Sequence, residues 1–196
     1  MFMEYKKSVL SRSFYCRDTS SVARDLLGKV LVKESGGITT SGIIVETEAY
    51  YGPDDPASHA FGGSTPRSSI MFGKAGIVYV YLCYGVYWLL NIVTEEKTTP
   101  GAVLIRGLKP IDGIGDMQKR RKITDTGSRL TDGPGKLTIA MGISSSDNGK
   151  DVTDTRSGIY IAESDLGSKD FTIKNTKRIG ITNGKDRLLR YIVIGL

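Results

Sequence analysis

The stretch "GIVYVYLCYGVYWLLNIVT", from Gly76 to Thr94, restricts the possible folds more than any other segment. β-Branched and aromatic residues crowd both sides of a Tyr84-Gly85 step, the composition of two paired strands around a tight turn. Tyrosines, Gly85 and Asn91 interrupt the run too often for a membrane span. Further strands are predicted at Lys29 to Lys33, at Gly42 to Tyr50 after the turn "ESGGITT", and in "GAVLIRGLKP", "SGIYIAES", "KRIGI" and "RLLRYIVIGL". A helix is predicted after Arg17: Asp18 or Thr19 caps it, Val22, Ala23, Leu26 and Leu27 recur at helical spacing, and Gly28 ends it. "IDGIGDMQKRRKI" and "DGPGKLTIAMGI" read as short helices, the second closed by Gly142. Helices and strands do not alternate as βαβ units, so the expected class is α+β with mainly antiparallel pairing. At 196 residues the chain can bury its core as one domain, residues 1–196, with residues 1–12 as a loosely ordered N-terminal segment.

Charge and cysteine usage narrow the function classes. The formal net charge of +6 suits a polyanionic partner, although many basic proteins bind none. "KRRK" at Lys119 to Lys122 fits a solvated helix face better than a phosphate clamp. Cys16 and Cys83 form no CxxC, and with His59 as the sole histidine no ordinary zinc site can be assembled. Cys83, in an apolar aromatic run, reads as a buried thiol in a reducing compartment. The start "MFMEYKKSVLSRS" lacks the apolar core of a secretion signal, so an intracellular protein is expected. "GPGK" at Gly133 to Lys136 is no Walker A loop: Leu130 stands where the first glycine belongs, and Leu137 follows the lysine. GxGxxG, GxSxG and zinc-deaminase patterns are absent.

What remains is "VETEAYYGPDDPASHAFGG", from Val45 to Gly63. Strand alternation puts Glu46, Glu48 and Tyr50 on one face and Val45, Thr47 and Ala49 on the other. Spacing alone favours two glutamates on a solvated sheet face, and Tyr50, Tyr79, Tyr81, Tyr84 and Tyr87 are by default packed sheet aromatics. The loop from Tyr51 to Ile70 is long enough to suggest a working part. Taken together, a basic domain with a poised carboxylate, flat rings and an aromatic hairpin tip points to a nucleobase within a nucleic acid.

The segments "SFYCRDTSSVARDLLGKVLV", "IVETEAYYGPDDPASHA", "TPRSSIMF", "VYVYLCYGVYWLLNIV", "AVLIRGLKP" and "DGPGKLTIAMGI" closely resemble the alkyladenine (3-methyladenine) DNA glycosylase family, the monofunctional type with a β-hairpin wedge. The resemblance runs from about Ser13 to the last strand. It implies a single compact α+β domain: a curved, mainly antiparallel sheet, surrounding helices and a protruding DNA-inserting hairpin. Glu48 matches the general base that activates water, Arg106 the arginine that helps hold it, and Ile179, where the family often has Val, the backbone carbonyl that also contacts it. Tyr50, His59 and Tyr81 match the walls of the base pocket, Asn91 the residue that obstructs the 2-amino group of guanine, and Tyr84 the intercalated side chain. Thr65, Arg67, Met71 and Lys136 lie in segments that border DNA in the family. The family commonly extends past the last strand, where this chain stops at "YIVIGL"; no matched site residue lies there.

The implied activity is base excision repair: a DNA glycosylase that flips alkylated or deaminated purines from duplex DNA and hydrolyses the glycosidic bond, leaving an abasic site. The implied scheme has no cofactor, no metal and no membrane partner, and a monomer on double-stranded DNA. Its setting would be the cytoplasm or nucleoid of a prokaryote, or the nucleus of a eukaryote. Two other classes are distinguishable. A non-enzymatic damage-binding relative would not need both Glu48 and Arg106. A glycoside hydrolase would need carboxylates across a scissile bond, whereas Glu46 and Glu48 lie side by side on one strand.

Overall fold

The computed structural model describes residues 5–165 and 170–196. Two helices lead in, α1 (Arg12–Tyr15) and α2 (Thr19–Asp25). Asp18 caps α2, its side chain accepting from the Ser21 N–H, which satisfies one orphan donor of the first turn. Strands β1 (Val30–Ser35) and β2 (Ile38–Tyr50) follow, then the hairpin β3 (Val78–Cys83) and β4 (Tyr87–Val93), and β5 (Ala102–Asp112). Helices α3 (Ile114–Arg121) and α4 (Pro134–Met141) precede β6 (Ile159–Ala162), β7 (Thr172–Thr176) and β8 (Arg190–Ile194). Gly142 ends α4 at φ 69°, the left-handed conformation a helix C-terminus favours in glycine.

All described strand pairs are antiparallel. The order is β3-β4-β5-β2-β1-β6, with β8 joining β2 and β7 joining β8. The long β2 changes partners along its length: β1 pairs with residues 38–43, and β8 takes over at Glu46 to Glu48. The α+β class and the curled antiparallel sheet agree with expectation. The N-terminal segment is docked from Ser8 onward: Leu10 is buried and donates its N–H to the Ile161 carbonyl, and Val9 bridges Ala162.

The largest of the buried apolar clusters packs helices against the sheet. Val22 and Ala23 of α2 and Leu26 at its C-terminal cap meet Ile44, Ala49, Val103, Ile105 and Leu108 of the central strands, and Leu137, Ala140 and Met141 of α4. Ile44 and Ala49 are an odd number of residues apart, yet share this core, because the β2–β5 ladder carries two irregularities between them. Ile44 pairs with Leu108, Glu46 with Gly107 and Thr47 with Ile105, leaving Val45 and Arg106 each unpaired on its strand. These compensating β-bulges turn both strands over while restoring their register.

Three sequence expectations change. "KRIGI" is not a strand: Arg178 is buried by side-chain bonds, Gly180 sits at φ 74°, and the extended segment lies upstream at β7. Cys83 is not core; it ends β3 half-buried beside the hairpin tip. The solvated-face alternative fails for Glu48, which is 0% exposed.

Candidate active site

Downstream of the bulges, β2 and β5 present polar side chains to one side. Arg106 donates from Nε to Glu46 (2.7 Å) and from Nη1 to Glu48 Oε2 (3.2 Å). Tyr50 donates its hydroxyl to the same Oε2 (2.8 Å), and the Ile179 backbone N–H donates to Oε1 (2.8 Å). Glu46 also accepts from Arg190 Nε at 2.6 Å, so it is neutralised from two sides. Burial pushes the Glu48 pKa above the ordinary carboxylate range, with Glu46 adding to the rise. Arg106, the Ile179 N–H and Tyr50 pull the other way and do not cancel it. The result is a carboxylate more basic than usual, still held by three donors.

Beside it opens a cavity of about 830 Å³. Tyr50, His59, Tyr81, Arg106 and Ile179 line it, with the hairpin residues Cys83, Tyr84 and Tyr87 and the start of α4, Gly133 to Lys136, on the rim side. The rings are set mostly edge-on: His59 and Tyr81 have centroids 4.5 Å apart at 73°. His59 Nδ1 and the Tyr79 hydroxyl share a hydrogen bond of 2.8 Å. Burial, aided by the nearby Arg67 charge, lowers the His59 pKa to about 4, so the ring is neutral at physiological pH. Arg67 lies 4.8 Å from the Tyr81 ring centroid, a cation–π distance. Asn91, opposite Tyr79 in the hairpin register, is buried; its amide donates to the Tyr79 carbonyl at 3.2 Å, and it lines a small recess with Tyr50, His59 and Met71.

Among the described residues the hairpin tip is the most exposed apolar part: Tyr84 is 89% exposed, and Leu82, Val86 and Tyr87 are exposed around it. Tyr84 sits at φ 50°, a conformation that costs a non-glycine residue about 1–2 kcal/mol. The base of the tip is braced on α4, because a Cβ at Gly135 would lie 2.7 Å from the Tyr87 ring. Thr65 and Arg67 are exposed in the loop before β3, where Thr65 and Ser68 exchange side-chain and backbone bonds. Lys136 is exposed at the start of α4 and pairs with Asp132 at 2.8 Å. Met71 is different: it is buried in a small core cluster with Ala60 and Tyr79, so its side chain faces inward.

The sequence model for methylpurine-DNA glycosylase (MPG) matches residues 13–195. The chain belongs to the methylpurine-DNA glycosylase family. A relative from Clostridium perfringens (strain 13 / Type A) is 44% identical over 195 residues, covering 94% of this chain and 95% of its own. One from Prosthecochloris aestuarii is 48% identical over 180 residues, covering 91% and 85%, and one from Koribacter versatilis is 40% identical over 188 residues, covering 95% and 90%. All three carry the name "Putative 3-methyladenine DNA glycosylase".

In this methylpurine-DNA glycosylase family member, Glu48, Arg106 and Ile179 meet at one point, and Tyr50, His59 and Tyr81 surround the adjoining cavity. Sequence reasoning missed Asp55, Arg178 and Arg190, which hold the same region together by ion pairs. The Pro/Asp loop offered the only signal for Asp55; nothing near Arg178 in sequence names its partner. Among the described residues no cluster of His, Cys, Asp or Glu could hold a metal, and no helix is long and apolar enough to cross a membrane.

Proposed function

We propose that this member of a DNA glycosylase family excises alkylated or deaminated purines flipped out of duplex DNA, using water activated by Glu48. The observation that carries the reading is a fully buried carboxylate of raised basicity beside an aromatic cavity of nucleobase size. Water, held by Glu48, Arg106 and the Ile179 carbonyl, attacks C1′. Its proton passes to Glu48, and the purine leaves with the electrons of the glycosidic bond. Alkylation at N3 or N7 makes the purine cationic and a better leaving group. Tyr50, His59 and Tyr81 then act as a cage for the flat ring, each favourable cation–π contact contributing roughly 0.5–2 kcal/mol. A neutral His59 adds no repelling charge, and its backbone N–H, which meets no acceptor among the described residues, is free to bond the base edge. Asn91 opposes the 2-amino group of normal guanine. Tyr84 fills the gap left by the extruded nucleotide, and its backbone strain supports that role. Thr65, Arg67, Met71 and Lys136 belong to the segments flanking the duplex, of which Arg67 and Lys136 supply positive charge. The protein works as a monomer in the compartment that holds the chromosome.

The test is incubation with end-labelled duplexes carrying one hypoxanthine or one ethenoadenine, with and without subsequent hot alkali, beside a Glu48→Gln variant. The expected result is alkali-dependent cleavage by the wild type alone. Cleavage without alkali would mean a lyase step and refute the water mechanism.

A further inference from the structure

Beneath the cavity lies an ion pair that the proposed chemistry does not use. Arg178 donates from Nη1 to Asp55 Oδ2 (2.6 Å) and from Nη2 to Oδ1 (2.7 Å), and both side chains are fully buried. Such a pair is costly to desolvate, so its presence calls for a reason other than stability. Arg178 Nη1 also donates to the Ala49 carbonyl (2.9 Å), and the guanidinium lies 4.7 Å from the Tyr50 ring centroid. Asp55 in turn accepts from the backbone N–H groups of Tyr51 and Ala57, fixing the loop that carries His59. Gly184 closes over the pair, where a Cβ would lie 3.1 Å from Arg178 Nη2. The residue after Arg178 is Ile179, whose N–H donates to Glu48.

We propose that Asp55 and Arg178 are positioning residues for the Glu48 site, their buried pair holding the Ile179 peptide against the carboxylate and the Tyr50 ring beside it. The inference rests on the glycosylase reading for its kinetic consequence, but not for its geometry. Three parts converge on one guanidinium: β2 through the Ala49 carbonyl, the His59 loop through Asp55, and the 178–184 segment through its own backbone. None of these parts is held to another by the regular sheet ladder at this point. Without the clamp, the Ile179 peptide would be held only by its own N–H bond to Glu48 beside Gly180 and a loop, and misplacement by about 1 Å can cost 100-fold in rate. Glu48 is faced by Arg106 from β5, Glu46 and Tyr50 from β2, Tyr81 from β3, and Ile179 and Arg178 from the last segment. Losing the last two removes influences that keep it ionised.

The test uses the double variant Asp55→Asn/Arg178→Met, which removes both charges together and so avoids stranding either one. Lys33→Met/Asp147→Asn serves as the comparison, removing a buried pair (2.6 Å) that lines no part of the cavity. Two quantities are read: single-turnover excision across pH, and the pH titration of the Ile179 amide resonance by NMR. In the wild type that resonance should follow Glu48 ionisation, and in Glu48→Gln it should not. The Asp55/Arg178 variant should lose this coupling, slow single-turnover excision about 10- to 100-fold, and shift the acid limb of the rate to higher pH. The Lys33/Asp147 variant should keep all three. Retained coupling and an unchanged pH profile in the Asp55/Arg178 variant would reduce the pair to a structural bridge. A wild type that excises nothing, with the coupling still lost in that variant, would overturn the glycosylase reading while leaving the positioning role standing.

Discussion

Glu48→Gln separates chemistry from architecture at one position. Glutamine keeps an oxygen to accept the Ile179 N–H, now at 2.8 Å, and places its amide where Oε2 accepted from Tyr50 (2.8 Å) and Arg106 (3.2 Å). The Tyr50 hydroxyl can rotate to accept from that amide; Arg106 cannot. One charge-assisted bond, worth about 1.5–3 kcal/mol, is therefore lost. Against this, the substitution removes a carboxylate whose burial outweighs its attractions, and Arg106 keeps Glu46 at 2.7 Å. The two effects oppose each other, so stability at neutral pH should change by only about 1 kcal/mol in either direction. The pH dependence has a definite sign. The folded pKa of Glu48 lies above its unfolded value, so its contribution is full below the unfolded pKa and is lost as pH rises through the folded one. The variant escapes that loss and gains on the wild type as pH rises. Excision, by contrast, should fall about 10²- to 10⁴-fold. Single-turnover excision from a hypoxanthine duplex, with urea unfolding at acid and neutral pH, measures both. Excision within about tenfold of wild type would remove Glu48 as the base; a stability loss above about 3 kcal/mol at neutral pH would make it a structural anchor.

Other residues allow shorter tests. Tyr84→Asn should leave the urea midpoint unchanged or raised, since asparagine tolerates φ 50° better than tyrosine, while lesion-duplex binding weakens; unchanged binding by fluorescence anisotropy removes the wedge role. Asn91→Ala should admit normal guanine to the pocket and cost about 1 kcal/mol through the lost bond to Tyr79; undetectable guanine excision with unaltered hypoxanthine excision would leave Asn91 purely structural. His59 should titrate near about 4 by NMR, well below an exposed histidine, so no limb of the rate profile between neutral and mildly acid pH belongs to it. A titration midpoint at the ordinary histidine value would contradict the closed ring cluster around it.

The fold was legible where one residue's neighbours in sequence are also its neighbours in space. The β3–β4 hairpin, the Asp18 cap and the Gly142 stop are all local events, and each lies where the pattern predicts. Strand β7 was missed because it pairs with β8 alone and is largely exposed, so "TIKNT" needs no apolar alternation. "KRIGI" misled in the opposite way: its apolar look comes from a buried arginine's neighbours rather than from a sheet face. At the site, alternation correctly grouped Glu46, Glu48 and Tyr50, whereas the Asp55–Arg178 pair spans more than half the chain. No local pattern encodes such a partnership.

The paired bulges at Val45 and Arg106 have an evolutionary consequence. By counting alone, Ile44 and Glu48 share parity, yet one faces hydrocarbon and the other the cavity. The polar face beside the cavity is thus created by a slip in phase and not by the identity of any side chain. Substitutions can change what the site does, but pairing Val45 in regular alternation would put Glu48 into oil and Thr47 and Ala49 into the cavity, and deleting it would leave the bulge at Arg106 uncompensated and slip the ladder by one residue. Natural variation within β2 should therefore run through replacement, with strand length at this point held fixed, while the loops on either side remain free to grow or shrink.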